Sequence, residues 1–394
     1  MPADSVLVLN CGSSSVKFAL IEPASGFRAL TGLGERVGGE DAVVHIRRHG
    51  EETSSAPPDV SHHGVVAHLL RELTPDERAS ISAVGHRVVH GGRQFSESVV
   101  IDESVKSTLR RLVPLAPLHL PANRAGIEAA LATLPGVPQV AVFDTAFHQT
   151  MPPVAYQYAV PREWYEDYAV RRYGFHGTSH RYVSARAADL LDRPLSELRM
   201  VTLHLGNGCS AAAVRDGASV DTTMGMTPLE GLVMGTRSGD VDPGLLGYIA
   251  DRLHLDLDGV LNELNTRSGL LGLSGISNDM RTVCDAARNG SQEAMLAVEV
   301  FCYRAAKAVG ALAVALGRLD ALVFTGGIGE HSLDVRSAVL GHLGVLGLRE
   351  DAAANVDHGR HTCGRVSEPG PTTALVVPTD EELLIAQDTR RLAP

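Results

Sequence analysis

The chain has 394 residues, 44% of them hydrophobic and 21% charged, and a formal net charge of -11. This is the composition of a globular protein with room for two domains. The acidic balance argues against nucleic-acid or anionic-membrane partners, which are bound by clustered Lys and Arg. The start, MPADSVLVLN, lacks the charged and long apolar regions of a leader, so we expect a cytoplasmic protein. Five scattered cysteines without CxxC spacing predict neither disulfides nor a zinc site.

The first predicted element is a hairpin at residues 6–20, VLVLNCGSSSVKFAL. Apolar β-forming residues flank CGSSS on both sides, which favours two strands joined by a Gly/Ser turn. Such a turn offers backbone N–H groups and the hydroxyls of Ser13 and Ser15 to an anion, and Lys17 would add a full charge. A turn that only closes the hairpin is the alternative. The combination favours polyphosphate as the ligand.

The segment GHRVVHGG is predicted to be extended. The period of two of a strand would place Arg87 and Val89 on one face, and His86, Val88 and His90 on the other. One face then presents a cation beside a methyl-sized apolar group. An arginine in a surface ion pair on an edge strand is the alternative for this pattern taken alone.

Asp144 follows an apolar run from Val140 to Phe143. An aspartate at the end of a buried strand is well placed to orient Mg²⁺ or its waters. Helical patterns precede this run, from Asp102 to Leu112 and from Arg124 to Leu134. The alternation of strands and helices indicates an α/β protein.

Two histidines four residues apart, His176 and His180, lie in YGFHGTSH. On a helix they could form a metal pair, but Gly174 and Gly177 disfavour a regular helix here. We therefore predict a loop that contacts phosphate, with a buried structural histidine as the alternative.

The segment VTLHLGNGCSAAAVRDG, residues 201–217, repeats the layout of the first hairpin, with its turn at Gly206, Asn207 and Gly208. A third glycine cluster, TGGIGE, follows a helix predicted from Gln292 to Gly317 and a short strand. It is interpreted as a glycine-rich loop before another helix. Neither GxxxxGK[ST] nor a dinucleotide-type GxGxxG pattern is present, so a nucleotide must be held in another way.

Arg237 lies in MGTRSGDVDPG, whose glycines and proline predict a loop that can aim its side chain. The DVDPG part lacks the spacing and terminal Glu of a calcium loop. Asp240 and Asp242 are therefore interpreted as turn-forming residues, and no calcium is predicted.

The order of the two hairpin turns and the third glycine cluster resembles the actin, hexokinase and heat-shock chaperone ATPase superfamily, in which two duplicated domains clasp ATP. Eight blocks in order resemble the acetate kinase family in detail. These blocks are VLNCGSSSVKF, GHRVVHGG, FDTAFHQTMP, YGFHGTSH, HLGNGCS, TPLEGLVMGTRSGDVDP, FTGGIGEHS and PTDEELLIA. The resemblance implies Mg²⁺-dependent, reversible, in-line transfer of the γ-phosphoryl group of ATP to acetate, giving acetyl phosphate and ADP, with Mn²⁺ as a substitute metal.

The resemblance also assigns roles to residues. Catalytic roles fall to Asp144, His176 and Arg237, and metal-linked roles to Asn10 and Glu381. Residues on the acetate side are Arg87, Val89, Leu118, Pro228 and, as a secondary contact, His119. Residues on the nucleotide side are Ser13, Ser15, Lys17, His204, Leu205, Gly206, Asn207, Gly208, Asp279, Met280, Arg281, Gly327, Ile328, Gly329, Glu330 and His331.

The same resemblance implies two actin-like (ribonuclease H-like) α/β domains with the active site in the cleft between them. The first comprises residues 1–147 and 382–394, and the second, residues 148–381, carries the adenosine site and a homodimer interface. A propionate or butyrate kinase is the nearest alternative, because only the room in the apolar pocket differs. Non-catalytic alternatives are a nucleotide-dependent switch module, which the paired arginines disfavour, and a structural globule without a ligand.

Overall fold

The computed structural model describes residues 4–117 and 119–393. The chain divides into two compact units, one formed by Met1–Phe147 with Asp380–Pro394 and the other by His148–Thr379. The return to the first unit begins slightly earlier than the predicted boundary at 382. Asp380 caps the last helix by accepting from the Leu383 N–H at 3.0 Å, and it pairs with Arg28 at 2.6 Å.

The strands are β1 Ser5–Cys11, β2 Ser15–Ile21, β3 Arg28–Glu35, β4 Val43–Arg48, β5 Glu51–Ser55, β6 Ile81–Val88, β7 Val99–Val100, β8 Gln139–Phe143, β9 Arg199–Leu205, β10 Cys209–Arg215, β11 Ala218–Thr222, β12 Ala321–Thr325 and β13 Thr373–Val376. The helices are α1 His62–Glu72, α2 Pro75–Ser80, α3 Glu103–Leu112, α4 Leu120–Thr133, α5 Pro153–Tyr156, α6 Arg162–Tyr168, α7 Gly177–Leu190, α8 Gly244–Leu253, α9 Leu257–Thr266, α10 Gly269–Ser274, α11 Met280–Arg288, α12 Gln292–Leu316, α13 Gly326–His331, α14 Leu333–His342, α15 Ala352–Val356 and α16 Glu381–Leu392. Short 3-10 turns lie at Val113–Leu115, Ala146–Thr150, Leu195–Glu197 and Gly344–Leu346. None of the helices in the described part of the chain has the length and apolar character of a membrane span.

The two sheets share a five-stranded core, in which β3-β2-β1-β6-β8 of the first unit corresponds to β11-β10-β9-β12-β13 of the second. In the first unit the order is β5-β4-β3-β2-β1-β6-β8-β7, and in the second it is β11-β10-β9-β12-β13. In each, an antiparallel hairpin is extended by two parallel strands: β6 and β8 beside β1, and β12 and β13 beside β9. The predicted α/β class, with duplicated units of the actin-like fold, is confirmed.

The central strands are buried on both faces, as is typical of sheets covered by helices. In β1, Leu7 and Leu9 pack in one cluster with α1 and α4, whereas Val6 and Val8 pack in another with Ile385 of α16. Because the carboxyl ends of parallel strands meet at one sheet edge, the residues that follow β1, β6 and β8 are brought together, as are those that follow β9 and β12.

Both predicted hairpins are confirmed, with Cys11 opposite Val16 and Leu205 opposite Cys209. The predicted helices are also present. Asp102 is the N-cap of α3, with its side chain accepting from the Val105 N–H, and Gly317 ends α12 in the left-handed conformation at φ 73°.

The glycine-rich loop predicted at TGGIGE is wrong, because α13 begins at Gly326 directly after β12. Gly326 has φ +74°, and a Cβ there would lie 2.7 Å from the Leu205 carbonyl oxygen. This glycine therefore serves the close packing of α13 on β9.

The loop predicted over YGFHGTSH is also wrong from Gly177 onward, where α7 begins. Val183 and Ala187 of α7 pack against Met200 in the second sheet, and this burial outweighs the low helix propensity of the first residue.

Candidate active site

In the first unit, three predicted side chains converge at the carboxyl ends of adjacent strands. Asn10 lies in the last part of β1, Arg87 in that of β6, and Asp144 directly after β8. Arg87 donates from Nε to Asp144 Oδ1 at 3.0 Å and from Nη1 to Asn10 Oδ1 at 3.2 Å, and its Nη2 contacts Asp144 Oδ2. Glu381, in the first turn of α16, lies 3.9 Å from Arg87 Nε.

The Arg87–Asp144 pair is held largely out of water, with the two side chains 18% and 1% exposed. Burial alone would lower the pKa of Arg87, but the neighbouring carboxylates of Asp144 and Glu381 raise it. A guanidinium has five N–H donors, and the contacts to Asp144 and Asn10 use three of them. Two remain for a carboxylate ligand.

The apolar neighbour of Arg87 is fixed by a residue that the sequence did not single out. Asn123 of α4, 2% exposed, accepts from the Val89 N–H at 3.0 Å and donates to the Cys11 carbonyl at 2.7 Å. It thereby ties α4 to the ends of β6 and β1. His119 immediately precedes α4, and the predicted Leu118 lies outside the described residues.

The predicted phosphate turn of the first unit is tight and open to solvent. The Gly12 N–H donates to the Ser15 carbonyl at 2.7 Å, and Ser13 is exposed. Lys17 is also exposed and lines an open cavity of about 430 Å³ together with Glu35, His45 and Glu382, among others.

In the second unit, Arg237 and His176 flank the turn after β9. A Cβ on Gly208 would lie 3.1 Å from Arg237 Nη2 and 3.3 Å from His176 Cε1. Arg237 is half-buried and donates to the Pro228 carbonyl at 2.7 Å. Within residues 4–117 and 119–393, no carboxylate lies within ion-pair distance of it. Burial lowers the pKa of Arg237, so its charge is poorly compensated and suits an anionic ligand.

His176 adopts the left-handed conformation at φ 54° immediately before α7. Its Nδ1 is 2.9 Å from Ser210 Oγ, and its ring stacks on that of His204 with centroids 4.3 Å apart. His204 Nδ1 is in turn 2.8 Å from Ser179 Oγ. His180, by contrast, is fully buried.

The turn itself is shaped by contacts of Asn207. Its carbonyl accepts from the Gly235 N–H at 2.9 Å, and its Oδ1 accepts from Asn278 Nδ2 at 3.0 Å. A Cβ on Gly235 would lie only 2.1 Å from Asn207 Oδ1. Gly235 is therefore required for the position of Asn207, a role that needs the folded structure to recognise.

A cavity of about 780 Å³ opens beside this turn. Arg281 and Asp279 form an exposed ion pair at 2.5 Å within its lining. Predicted residues that line it are Gly206, Asn207, Asp279, Met280, Arg281, Gly327, Ile328 and His331. Gly329 and Glu330 are not among the lining residues, and Glu330 Oε1 instead accepts from the N–H groups of Gly326 and Thr379, both at 3.1 Å.

The cysteines beside the two turns are small buried thiols, as interpreted from the sequence. Burial raises the pKa of both Cys11 and Cys209 to about 12. Neither is therefore a thiolate near neutral pH.

No group of three or more His, Cys, Asp or Glu side chains that could hold a metal ion occurs among the described residues. Mg²⁺ is commonly held by substrate phosphates, waters and one or two carboxylates. Glu381 and Asn10 supply oxygens of that kind beside Arg87.

Comparison with known proteins gives consistent matches over the whole chain. A protein of Deinococcus radiodurans named acetate kinase is 56% identical over 384 residues, 97% of this chain and 96% of that protein. The structure of an acetate kinase from Porphyromonas gingivalis has a TM-score of 0.93 at 44% identity and covers 99% of this chain and 100% of that one. A propionate kinase from Francisella tularensis subsp. tularensis has the same TM-score and coverage at 43% identity. Since a model described as the acetokinase family matches residues 5–387, the chain belongs to that family.

Proposed function

We propose that this protein is an acetate kinase that transfers the γ-phosphoryl group of ATP to acetate, reversibly and with Mg²⁺. The observation that carries the proposal is the contrast between its two arginines. Arg87 is held by Asp144 with two donors left over, whereas Arg237 has no carboxylate partner in the described part of the chain. The first suits a small carboxylate and the second a phosphoryl group.

Acetate fits the environment of Arg87. Its carboxylate can accept the two remaining guanidinium donors. Its methyl group can lie against Val89, which is 6% exposed and lies two residues after Arg87, directly beyond the end of β6. The assignment of Leu118 and Pro228 to the acetate side by family resemblance stays a prediction.

The reaction needs no general base to deprotonate the acid. Acetate has a pKa near those of Asp and Glu, about 4, and is therefore ionised at neutral pH. Asp144 accordingly serves to hold Arg87 in place, because its carboxylate receives two of the guanidinium N–H groups. Its predicted link to the metal stays a prediction.

Residues of the second unit would stabilise the negative charge on the transferring phosphoryl group. Arg237 and His176 flank Gly208, beside which the phosphoryl group would lie. Transfer places negative charge on the equatorial oxygens of this group, and fixed donors lower the barrier by stabilising that charge. The cavity beside the turn would hold the adenosine part of ATP.

Mg²⁺, when bound, would neutralise part of the charge on the ATP phosphates, with Glu381, Asn10 and waters holding it. A homodimer and a cytoplasmic location remain predictions. Light scattering of the purified protein tests the first.

Val89 should control the size of the acid. We expect Val89→Ala to shift the ratio of kcat/KM from acetate towards propionate by roughly 10-fold or more, because added room for a methylene is worth about 1 to 3 kcal/mol. Val88→Ala is the matched control, since Val88 is fully buried on the opposite face of β6 and should lose stability without changing the ratio. An unchanged ratio in both variants would remove Val89 from the acid pocket.

Gly235 should matter for the nucleotide alone. The Cβ of Gly235→Ala would displace Asn207, so we expect KM for ATP to rise roughly tenfold while KM for acetate stays within about twofold. Gly310→Ala in α12 is the control, because, apart from the backbone of its own helix, no heavy atom of the described residues lies within 4 Å of the added Cβ. Equal rises in both KM values would show that the substitution disturbs more than the nucleotide turn.

The proposed function is tested by trapping acyl phosphate with hydroxylamine in the presence of ATP, Mg²⁺ and acetate, propionate or butyrate. Preference for acetate supports the proposal. Preference for propionate, which the match to the Francisella enzyme makes the second candidate, would keep the mechanism and change the substrate. ATP binding without product from any acid would contradict the kinase and favour a nucleotide-dependent switch.

A further inference from the structure

A row of buried polar side chains lies beneath His176. His180 Nδ1 is 2.7 Å from Thr202 Oγ1, and His180 Nε2 is 2.8 Å from Ser210 Oγ. The same Ser210 oxygen is 2.9 Å from His176 Nδ1. Thr202, His180 and Ser210 are each 0% exposed, so the row is isolated from water and its hydrogen bonds must be consistent with one another.

The number of hydrogens in this row restricts how it can be arranged. Ser210 has one hydroxyl hydrogen and cannot donate to both rings. His180 is neutral, because burial, helped by the nearby His148 and His204, lowers its pKa well below the usual value. A neutral ring has one N–H and one lone pair. Ser210 could instead accept from both rings, but in the described part of the chain its own hydrogen would then have no acceptor, at a site that is 0% exposed. The bonds therefore all point towards His176 or all point away from it.

If the bonds point towards His176, Thr202 donates to His180 Nδ1, His180 Nε2 donates to Ser210, and Ser210 donates to His176 Nδ1. The hydrogen of a neutral His176 is then on Nε2. If the bonds point away, His176 Nδ1 carries that hydrogen and the row ends with Thr202 donating to the Ala212 carbonyl. That last contact is 3.5 Å long, at the limit of a hydrogen bond.

The surroundings of His176 in the second unit favour the first arrangement. A phosphoryl group requires an N–H donor at the ring. A second proton on His176 would place a cation beside Arg237, which flanks the same glycine, and against the ring of His204 at 4.3 Å. The choice of tautomer supplies the N–H without adding charge.

We propose that Thr202, His180 and Ser210 are positioning residues that fix the tautomer of His176, so that its neutral ring presents an Nε2–H to the transferring phosphoryl group. The inference rests on the proposed function only for the identity of this anion. The tautomer itself can be measured in the free enzyme.

The first test is the ¹⁵N NMR spectrum of the full-length protein labelled in histidine, at neutral pH, with the His176 signals assigned through His176→Gln. We expect His176 to be protonated at Nε2 and to accept at Nδ1, and His180 to show the same tautomer. A hydrogen on Nδ1 of His176, or on both of its nitrogens, would overturn the proposal. This outcome does not depend on whether the enzyme phosphorylates acetate.

The second test separates positioning from stability. Ser210→Ala removes the bridging hydroxyl, and we expect kcat to fall about tenfold, less than the roughly 10²- to 10³-fold loss on removing a transition-state donor outright. KM for ATP should change less than about threefold. Thr202→Ser keeps the hydroxyl that begins the row and should retain kcat within about twofold of the wild type.

Ser219→Ala is the matched control. Ser219 is also 0% exposed, and its Oγ is 2.8 Å from Nδ1 of the buried His148, outside the row. The Ser219→Ala variant should be destabilised as Ser210→Ala is, but its kcat should stay at the wild-type value. Equal losses of kcat in the two serine variants, or an unchanged kcat and His176 tautomer in Ser210→Ala, would reduce the row to a structural role.

Discussion

Arg237→Met should lower kcat/KM for acyl phosphate formation by on the order of 10³-fold while leaving the ligand-free protein folded and stable. The guanidinium is half-buried, and its hydrogen bond is to the neutral Pro228 carbonyl. Burial lowers the pKa of Arg237, and no carboxylate of residues 4–117 or 119–393 lies within ion-pair distance of it. Removing this guanidinium therefore leaves no buried carboxylate without its partner.

The stability half of this expectation is measured by urea unfolding without ligand, where the free energy of unfolding should change by less than about 1 kcal/mol. Wild-type Tm should rise with MgATP, as linkage requires, and the rise should be smaller in the variant.

Arg172→Met is a contrasting control. Arg172 lies in the same unit and pairs with Glu230 at 2.5 Å. It also donates to the backbone carbonyls of Thr222 and Thr223, at 2.9 and 2.8 Å. Its loss should destabilise the protein more than the loss of Arg237. Equal destabilisation by the two substitutions would mean that Arg237 is a structural residue.

The features that could be predicted from the sequence are those encoded locally. Each hairpin combines two apolar β-forming runs with a turn of small residues, and the period of two around Arg87 marked a charged and an apolar residue for one face. The family blocks then identified residues that the fold brings to the strand ends, including Asn10 and Asp144.

Contacts between residues distant in the chain could not be predicted. Arg87 and Asp144 are 57 positions apart, and their pairing follows from the parallel alignment of β6 with β8. Asn123 had no signal beyond a polar residue among apolar ones, and Ser210 was assigned no role although it lies in the block HLGNGCS. The glycine positions misled the helix predictions, because Gly326 and Gly177 lie at the starts of helices that tertiary packing stabilises.

Substitution of Arg87 in the buried Arg87–Asp144 pair should affect the stability of the protein in the opposite way to substitution of Arg237. Arg87→Ala should destabilise the protein by about 3 to 5 kcal/mol, because it breaks a buried ion pair by removing the guanidinium from the carboxylate of Asp144, which is 1% exposed. Loss of activity in this variant alone would therefore not separate acetate binding from stability. The double variant Arg87→Met with Asp144→Leu should regain most of the stability, since hydrophobic residues replace the pair together.

Activity should not return with stability in the double variant, since no donors for the acetate carboxylate remain. Asp144→Asn keeps Arg87 but weakens its hold on the guanidinium, so KM for acetate should rise more than kcat falls. If Asp144 instead removed a proton during the reaction, Asp144→Asn would change the shape of the pH profile of kcat. We expect that shape to match the wild type, because acetate enters the reaction already ionised and Asp144 acts on it only through Arg87.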